Sequence, residues 1–140
     1  TPRTVIFALN KDMTVGQVLD KHKSLDFTRI PIFDTNLDVI VGIVNRYDIV
    51  NRKADDQFST RMSEISKEVP SVNENDPVDK VLELFIQNRY HLALVVNNEN
   101  TLTGLVTLED AIETLLGEEI VDEHDSVVDM RDLAKSQNNN

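Results

Sequence analysis

The sequence predicts an α/β (α+β) fold in which two β-α-β-β-α repeats pack against each other as a pseudo-two-fold intramolecular pair. The chain has 140 residues, 40% of them hydrophobic, which is enough to bury a core in one compact domain or in two small ones that share it. It matches itself at an offset of 62 or 63 residues, and the hydrophobic periods change in the same order in each copy. We therefore expect one repeat over residues 1–60, a second over residues 61–120, and an acidic, polar linker over residues 121–140.

The first helix of each repeat is predicted from apolar residues spaced three and four apart. In the second repeat one apolar stripe covers residues 78–85, and Asp76 and Pro77 before it suit a helix cap and a first helical turn. The first repeat shows the same spacing less cleanly, in Thr14, Val15, Val18, Leu19 and His22. Each helix should follow a short strand.

Two short apolar runs then follow in each repeat and predict a pair of buried strands joined by a polar turn. These runs are residues 30–33 and 39–44 in the first repeat, with the turn over residues 34–38, and residues 92–96 and 101–106 in the second, with the turn over residues 97–100. One three-stranded sheet cannot cover both of its own faces, whereas two copies can cover each other, so we expect a sandwich with a cleft between the halves. The charged segment 53–67, without Gly or Pro, predicts a continued helix or an ordered link.

Composition excludes several classes of function. Lys and Arg number 14 against 25 Asp and Glu, and the net charge of -11 argues against binding to nucleic acid. The absence of Cys excludes thiolate zinc sites, iron–sulfur clusters and thiol catalysis. The only four Gly residues do not cluster into a phosphate-binding loop, and no nucleophile stands beside a base, so we do not expect an enzyme.

The sharpest motif is the run Gly-apolar-apolar-Thr-x-x-Asp at residues 104–110, which should end a strand and begin a helix. The amides and dipole of a helix N-terminus favour phosphate, while Thr107 and Asp110 can bind sugar hydroxyls and backbone donors. The same two residues are also an ordinary capping pair, which needs no ligand to explain it. Residues 42–48 repeat the motif in the first half, with Asn45 in place of the Thr.

The duplicated order of elements and this motif resemble a pair of cystathionine β-synthase (CBS) domains, a Bateman module. More narrowly, segments 1–4, 29–33, 91–96 and 104–110 are similar to the cytoplasmic CBS pair of the CorC/HlyC haemolysin-like family, which is implicated in magnesium and cobalt transport or efflux. The resemblance covers about residues 1–125. It implies a parent protein with a membrane domain before Thr1 and a small transporter-associated domain after the acidic stretch, and it places this fragment on the cytoplasmic side of the membrane.

The resemblance also implies an adenine nucleotide, AMP, ADP or ATP, with or without Mg2+, in clefts between the halves. By position, Thr107 and Asp110 would hold the ribose and approach the phosphate. The adenine pocket would be lined by Thr4, Val5, Ile6, Ile30 and Pro31. A second, weaker pocket would use Asn45, Asp48, His91, Leu92 and Ala93.

Other candidate sites have simpler explanations. The three His residues lack the spacing of a metal pair, and the acidic cluster over residues 118–125 matches no metal-binding loop, so no metal site is predicted. We expect His91 to be a half-buried residue at a strand edge. The candidate cations for a nucleotide are Arg3, Arg29 and Arg46, and a solvated surface position is the simpler expectation for each.

Two functions follow as alternatives. The first is a non-catalytic regulatory module that binds an adenine nucleotide, forms a homodimer and controls the membrane domain of its own parent chain. The second is a purely structural dimerisation module with vacant nucleotide pockets.

Overall fold

The structure, a computed structural model, describes residues 1–117, and its elements follow the predicted order. The first repeat contains β1 (Leu9–Asn10), α1 (Val15–Lys21), β2 (Arg29–Asp34), β3 (Asn36–Asn45) and α2 (Arg46–Ala54). The second contains β4 (Ser71–Asn73), α3 (Val78–Asn88), β5 (Leu92–Val96), β6 (Leu102–Thr107) and a helix over residues 108–117, α4. The predicted α/β class is confirmed. The predicted linker over residues 121–140 and the acidic cluster over residues 118–125 lie outside the described residues.

The chain divides into two compact units that do not coincide with the repeats. The first unit consists of Thr1–Asn75 and Leu92–Val106 and contains the two sheets. The second consists of Asp76–His91 and the residues from Thr107 onward, and it contains α3 and α4.

Each repeat forms its own three-stranded sheet. The first has the order β1-β2-β3, with β1 parallel and β3 antiparallel to β2; the second has the order β4-β5-β6, with β4 parallel to β5. The predicted polar turn over residues 34–38 is wrong. β3 begins at Asn36, because the chain reverses through Thr35 in a left-handed conformation (φ 73°) and the β2–β3 register shifts on both sides of Phe33.

Local signals set the helix ends. α1 begins with a capping box, in which the Gln17 N–H donates to the Thr14 hydroxyl at 3.2 Å and the Thr14 N–H donates to the Gln17 side chain at 2.9 Å. α3 begins at Val78 with Pro77 at the N-cap position, one residue later than the expected cap at Asp76, and Pro77 has an extended backbone (ψ 144°) instead of lying in the first turn. α2 ends at Ala54, so the connector over residues 53–67 is an ordered link with a short 3₁₀ turn (Met62–Glu64) and not a continued helix.

The two repeats share a hydrophobic core within the first unit. One cluster is built mainly from the first repeat, including the fully buried Ile30 and Ile32, and also contains Met62 and Ile65 of the link. The other has four leucines of the second sheet at its centre, and first-repeat side chains pack on them: Leu92, Leu94, Leu102 and Leu105 contact Ile6, Leu37, Ile40 and Ile43. The leucine face that the second sheet could not cover by itself is thus covered by the first repeat.

Backbone pairing joins the repeats reciprocally. Pro2, ahead of the first repeat, bridges Gly104 of the second, and Lys67, ahead of β4, bridges Ile43 of the first. The approach is close enough to require glycine: a Cβ on Gly104 would lie 2.3 Å from the Thr1 carbonyl oxygen, and a Cβ on Gly42 would lie 2.9 Å from that of Lys67.

Candidate functional site

Thr107 and Asp110 lie at the start of α4, in the second unit. The Asp110 N–H donates to the Thr107 hydroxyl oxygen at 3.1 Å, so the capping interaction expected from the sequence is present. The Leu108 N–H donates to the His91 carbonyl oxygen at 2.9 Å. Two of the first three amides of α4 are therefore already bonded. The Thr107 hydroxyl hydrogen remains chemically able to donate to a ligand, because the cap uses that oxygen only as an acceptor.

Thr4, Val5 and Ile6 lie in the first unit, in and after the 3₁₀ turn Arg3–Val5. The turn is closed by bonds from the Val5 N–H to the Pro2 carbonyl (3.1 Å) and from the Ile6 N–H to the Arg3 carbonyl (3.3 Å). Thr4 and Val5 are exposed, while Ile6 is half-buried against the leucines of the second sheet. This segment thus presents a polar and an apolar side chain to solvent on an ordered backbone.

Ile30 and Pro31, the other predicted adenine-lining residues, are buried in β2. Ile30 belongs to the first hydrophobic cluster, whereas Ile6 packs on the second. The five predicted adenine-lining residues therefore share a unit, but Ile6 and Ile30 belong to different clusters.

Arg3, expected to be solvated, forms an ion pair. Its guanidinium donates to the Asp38 carboxylate and also lies 3.4 Å from the Leu102 carbonyl oxygen. The hydrogen bond from Arg3, and then the positive charge of the guanidinium, lower the pKa of Asp38 below its ordinary value. The hydrogen bond with Asp38 likewise raises the pKa of Arg3.

In the second candidate pocket, Asn45 caps α2 and Asp48 lies in its first turn. The Asn45 side-chain oxygen accepts the Tyr47 N–H at 2.8 Å, as expected of a helix N-cap. Asp48 lines an open cavity of about 270 Å³ together with Arg52, Glu64, Ile65, Ser66 and Lys67.

Lys67 and Arg52 in this cavity were missed by the sequence analysis. A signal for Lys67 was available, because Lys67 is the repeat equivalent of Thr4 at the offset of 63 residues. A signal for Arg52 was also available, because it follows Asp48 by four residues on α2, and residues with this spacing share a helix face. Two cations and two carboxylates, Asp48 and Glu64, thus line the same cavity.

The remaining predicted residues of this pocket are divided between the units. Leu92 and Ala93 are buried in β5 of the first unit, and His91 belongs to the second unit. His91 is exposed, so the expectation of a half-buried side chain is wrong; it precedes β5 instead of lying within it. Arg46, also expected to be solvated, donates to the Leu25 carbonyl at 2.9 Å and lies over the Tyr47 ring.

Residues 1–117 contain no group of three His, Cys, Asp or Glu side chains that could hold a metal ion. Over the same residues, no helix combines the length and the hydrophobicity needed to cross a bilayer.

Comparisons with known proteins agree with the observed repeat. The CBS domain family matches residues 2–55 and 62–117. The chain is 31% identical over 136 residues to the magnesium and cobalt efflux protein CorC of Escherichia coli strain K12, covering 96% of this chain and 46% of CorC. It thus spans less than half the length of that relative.

Two solved structures are also similar. The CBS domain of the bacterial CNNM/CorC family Mg2+ transporter, in complex with ATP, is 27% identical with a TM-score of 0.76, covering 84% of this chain and 83% of that one. A haemolysin-like protein containing a CBS domain, from Oenococcus oeni PSU, is 29% identical with a TM-score of 0.72, covering 81% and 83%. The chain therefore belongs to the CBS domain family, as a tandem pair related to the CorC/CNNM Mg2+ transporters and to haemolysin-like proteins.

Proposed function

We propose that this chain is a regulatory module without catalytic activity, which binds an adenine nucleotide and controls the membrane domain of a magnesium or cobalt transport or efflux protein. The observation that carries the proposal is the Thr-x-x-Asp cap at the start of α4, in a chain whose relative of similar fold was solved in complex with ATP. The module would act on the cytoplasmic side of the membrane, as a homodimer.

The chemistry of each residue set suggests its role. Thr107 would donate its hydroxyl hydrogen to a ribose or phosphate oxygen, and the exposed Asp110 would accept the ribose hydroxyls. We assign the adenine to the set of Thr4, Val5, Ile6, Ile30 and Pro31, in which Val5 is the most exposed apolar side chain, at 63%. The net charge of -11 repels a nucleotide at long range, so affinity must come from such local contacts.

We assign a second nucleotide to the candidate residues Asn45, Asp48, His91, Leu92 and Ala93. Lys67 and Arg52 line the cavity at Asp48 and would offer positive charge to a phosphate. Asn45 cannot supply the hydroxyl hydrogen that Thr107 has, and its side-chain oxygen already caps α2. We therefore propose weaker binding here than at Thr107.

Thermal-shift measurements with AMP, ADP and ATP, each with and without Mg2+, test the proposal. A ligand at 100 times its dissociation constant adds about 2.7 kcal/mol to the free energy of unfolding, which should raise Tm by about 5–10 °C. If no nucleotide raises Tm, the nucleotide-binding function is wrong. Steady release of a product from ATP would instead point to an enzyme.

Two variants separate the cap from the ligand contact. Thr107→Asn keeps an N-cap, as Asn45 does in the other repeat, but removes the hydroxyl, so we expect an unchanged Tm without nucleotide and a smaller shift with it. Asp110→Ala should abolish the nucleotide shift and leave a folded protein. Unchanged affinity in Asp110→Ala would refute the role of that carboxylate.

The purely structural dimerisation module is supported by one observation. Exposed apolar side chains lie along the helices of the second unit: Ile86 on α3, and Ile112 and Leu116 on α4. A chain that self-associates in sedimentation experiments and binds no nucleotide would favour this alternative.

A further inference from the structure

Within the first unit, the segment over residues 1–6 is held to the second sheet by backbone hydrogen bonds at one end and by an apolar contact at the other. Pro2 bridges Gly104, and the Leu105 N–H donates to the Thr1 carbonyl oxygen at 2.8 Å. Ile6 packs on the leucines of the second sheet. Between these anchors, Thr4 and Val5 are exposed and rely on the 3₁₀ turn for their position.

Arg3 lies inside this turn and joins it to both repeats. Its guanidinium donates to Asp38, on β3 of the first repeat, and lies 3.4 Å from the carbonyl oxygen of Leu102, on β6 of the second. The Arg3 side chain is 34% exposed and that of Asp38 is 54% exposed. An ion pair this exposed adds little to global stability, so its main effect should be local, on the turn that carries Arg3.

The ion pair is present in one repeat only. At the offsets of 63 and 62 residues, the equivalents of Arg3 and Asp38 are Ser66 and Asn100, which carry no charge. The Ser66 hydroxyl donates to the Ser63 carbonyl oxygen at 3.1 Å, a contact within its own link. The two lead segments, residues 1–6 and the link before β4, are thus fastened differently.

We propose that Arg3 and Asp38 are positioning residues that hold the exposed turn at Thr4 and Val5 in a binding-ready conformation, and that they raise nucleotide affinity at that candidate pocket only. The inference rests on the proposed function for the identity of the ligand. Without the ion pair, the turn samples other conformations, and the nucleotide binds only the fraction of molecules in which the turn is in place.

The first experiment measures nucleotide affinity of the full 140-residue chain by calorimetry, with ATP and with AMP. Asp38→Asn should weaken binding about threefold to fivefold, the upper range for an exposed ion pair. The direction is diagnostic, because removing one negative charge from a chain at -11 should by itself strengthen binding of an anion. Asp20→Asn, on the exposed face of α1, makes the same change of charge and should not weaken binding.

A conservative variant at position 38 tests whether the carboxylate group itself is needed. Asp38→Glu keeps the carboxylate and should recover most of the lost affinity. Asn100→Gly, at the equivalent position of the other repeat, suits the left-handed backbone there (φ 63°) and should leave affinity at the first pocket unchanged. Equal affinity in Asp38→Asn and the unaltered chain would overturn the proposal.

Hydrogen exchange gives a readout that needs no ligand. In Asp38→Asn the amides of Val5 and Ile6 should exchange several times faster, while Tm and the exchange of the β2 amides stay as in the unaltered chain. Unaltered exchange at Val5 and Ile6 would refute the positioning role, whatever the affinities. If the unaltered chain binds no adenine nucleotide, both the proposed function and the predicted effect of the ion pair on affinity are wrong. Hydrogen exchange at Val5 and Ile6 then still tests whether the ion pair orders the turn.

Discussion

Asn45 and Thr107 occupy equivalent positions in the two repeats, and each caps the helix that follows it. Each accepts a backbone N–H from the first turn of the following helix, at 2.8 Å for Asn45 and 3.1 Å for Thr107. The Thr107 hydroxyl keeps a hydrogen to donate on the capping atom itself, whereas Asn45 can donate only from its amide nitrogen, a different atom from its capping oxygen. The expected difference between the two pockets therefore depends on which side-chain atom carries the donor, which capping alone would never select.

At the residue scale, the Arg3–Asp38 pair makes a prediction about pH. The hydrogen bond and charge of Arg3 lower the pKa of Asp38, so the pair's contribution is complete above the ordinary carboxyl pKa and is lost as the pH falls through the lowered value. An NMR titration should find the Asp38 pKa below the ordinary carboxyl value, and Arg3→Gln should return it towards that value. A pKa of Asp38 that does not respond to Arg3→Gln would show that the pair does not form in solution.

At the scale of elements, sequence periodicity predicted the strands and helices well wherever both ends had local signals. β5 spans the predicted residues 92–96, and α1 begins immediately after Thr14, where a capping box forms. β3 is longer than predicted because its first three residues include only one apolar side chain, Leu37, between the exposed Asn36 and Asp38. Asn36 nevertheless pairs with Asp34 of β2. The connector could not be assigned from its composition, because a charged segment without Gly or Pro suits either a helix or a link.

The amphipathic pattern of α3 gives a matched pair of substitutions. Phe85 is 1% exposed and its neighbour Ile86 is 65% exposed, so one chain position separates core from surface. Phe85→Ala should lower the free energy of unfolding by about 3–5 kcal/mol, and Ile86→Ala by no more than about 0.5 kcal/mol. Urea denaturation followed by circular dichroism measures both values. Similar losses in the two variants would mean that α3 buries a different face.

At the scale of the whole molecule, the duplication has a structural consequence beyond two similar sheets. Each lead segment pairs with a strand of the opposite repeat, through Gly104 in one direction and beside Gly42 in the other. Because these pairings connect residues far apart in sequence, neither repeat has its full complement of backbone partners in isolation. We therefore expect the strands of the two repeats to fold cooperatively.

Glycine substitutions test this reciprocal pairing. A Cβ at position 42 would lie 2.9 Å from the backbone of Lys67, so Gly42→Ala should lower the free energy of unfolding by about 1–3 kcal/mol. Gly117→Ala is the control, since a Cβ there meets nothing within 4 Å and alanine favours a helix, so this change should be neutral or stabilising. Equal stability of the Gly42→Ala chain and the unaltered chain in denaturant titrations would contradict the close approach.

The sequence by itself determined the duplication, the order of the elements and the Thr107–Asp110 motif, because each depends on residues within one or two turns or on a fixed repeat offset. Only the tertiary structure decided which distant groups meet. Arg3 reaches Asp38 across 35 residues, the Thr1 backbone requires glycine at position 104, and Lys67 lines the same cavity as Asp48. The hydrophobic periodicity of the sequence does not encode these long-range contacts, because they depend on how the sheets and the link pack after the local elements have formed.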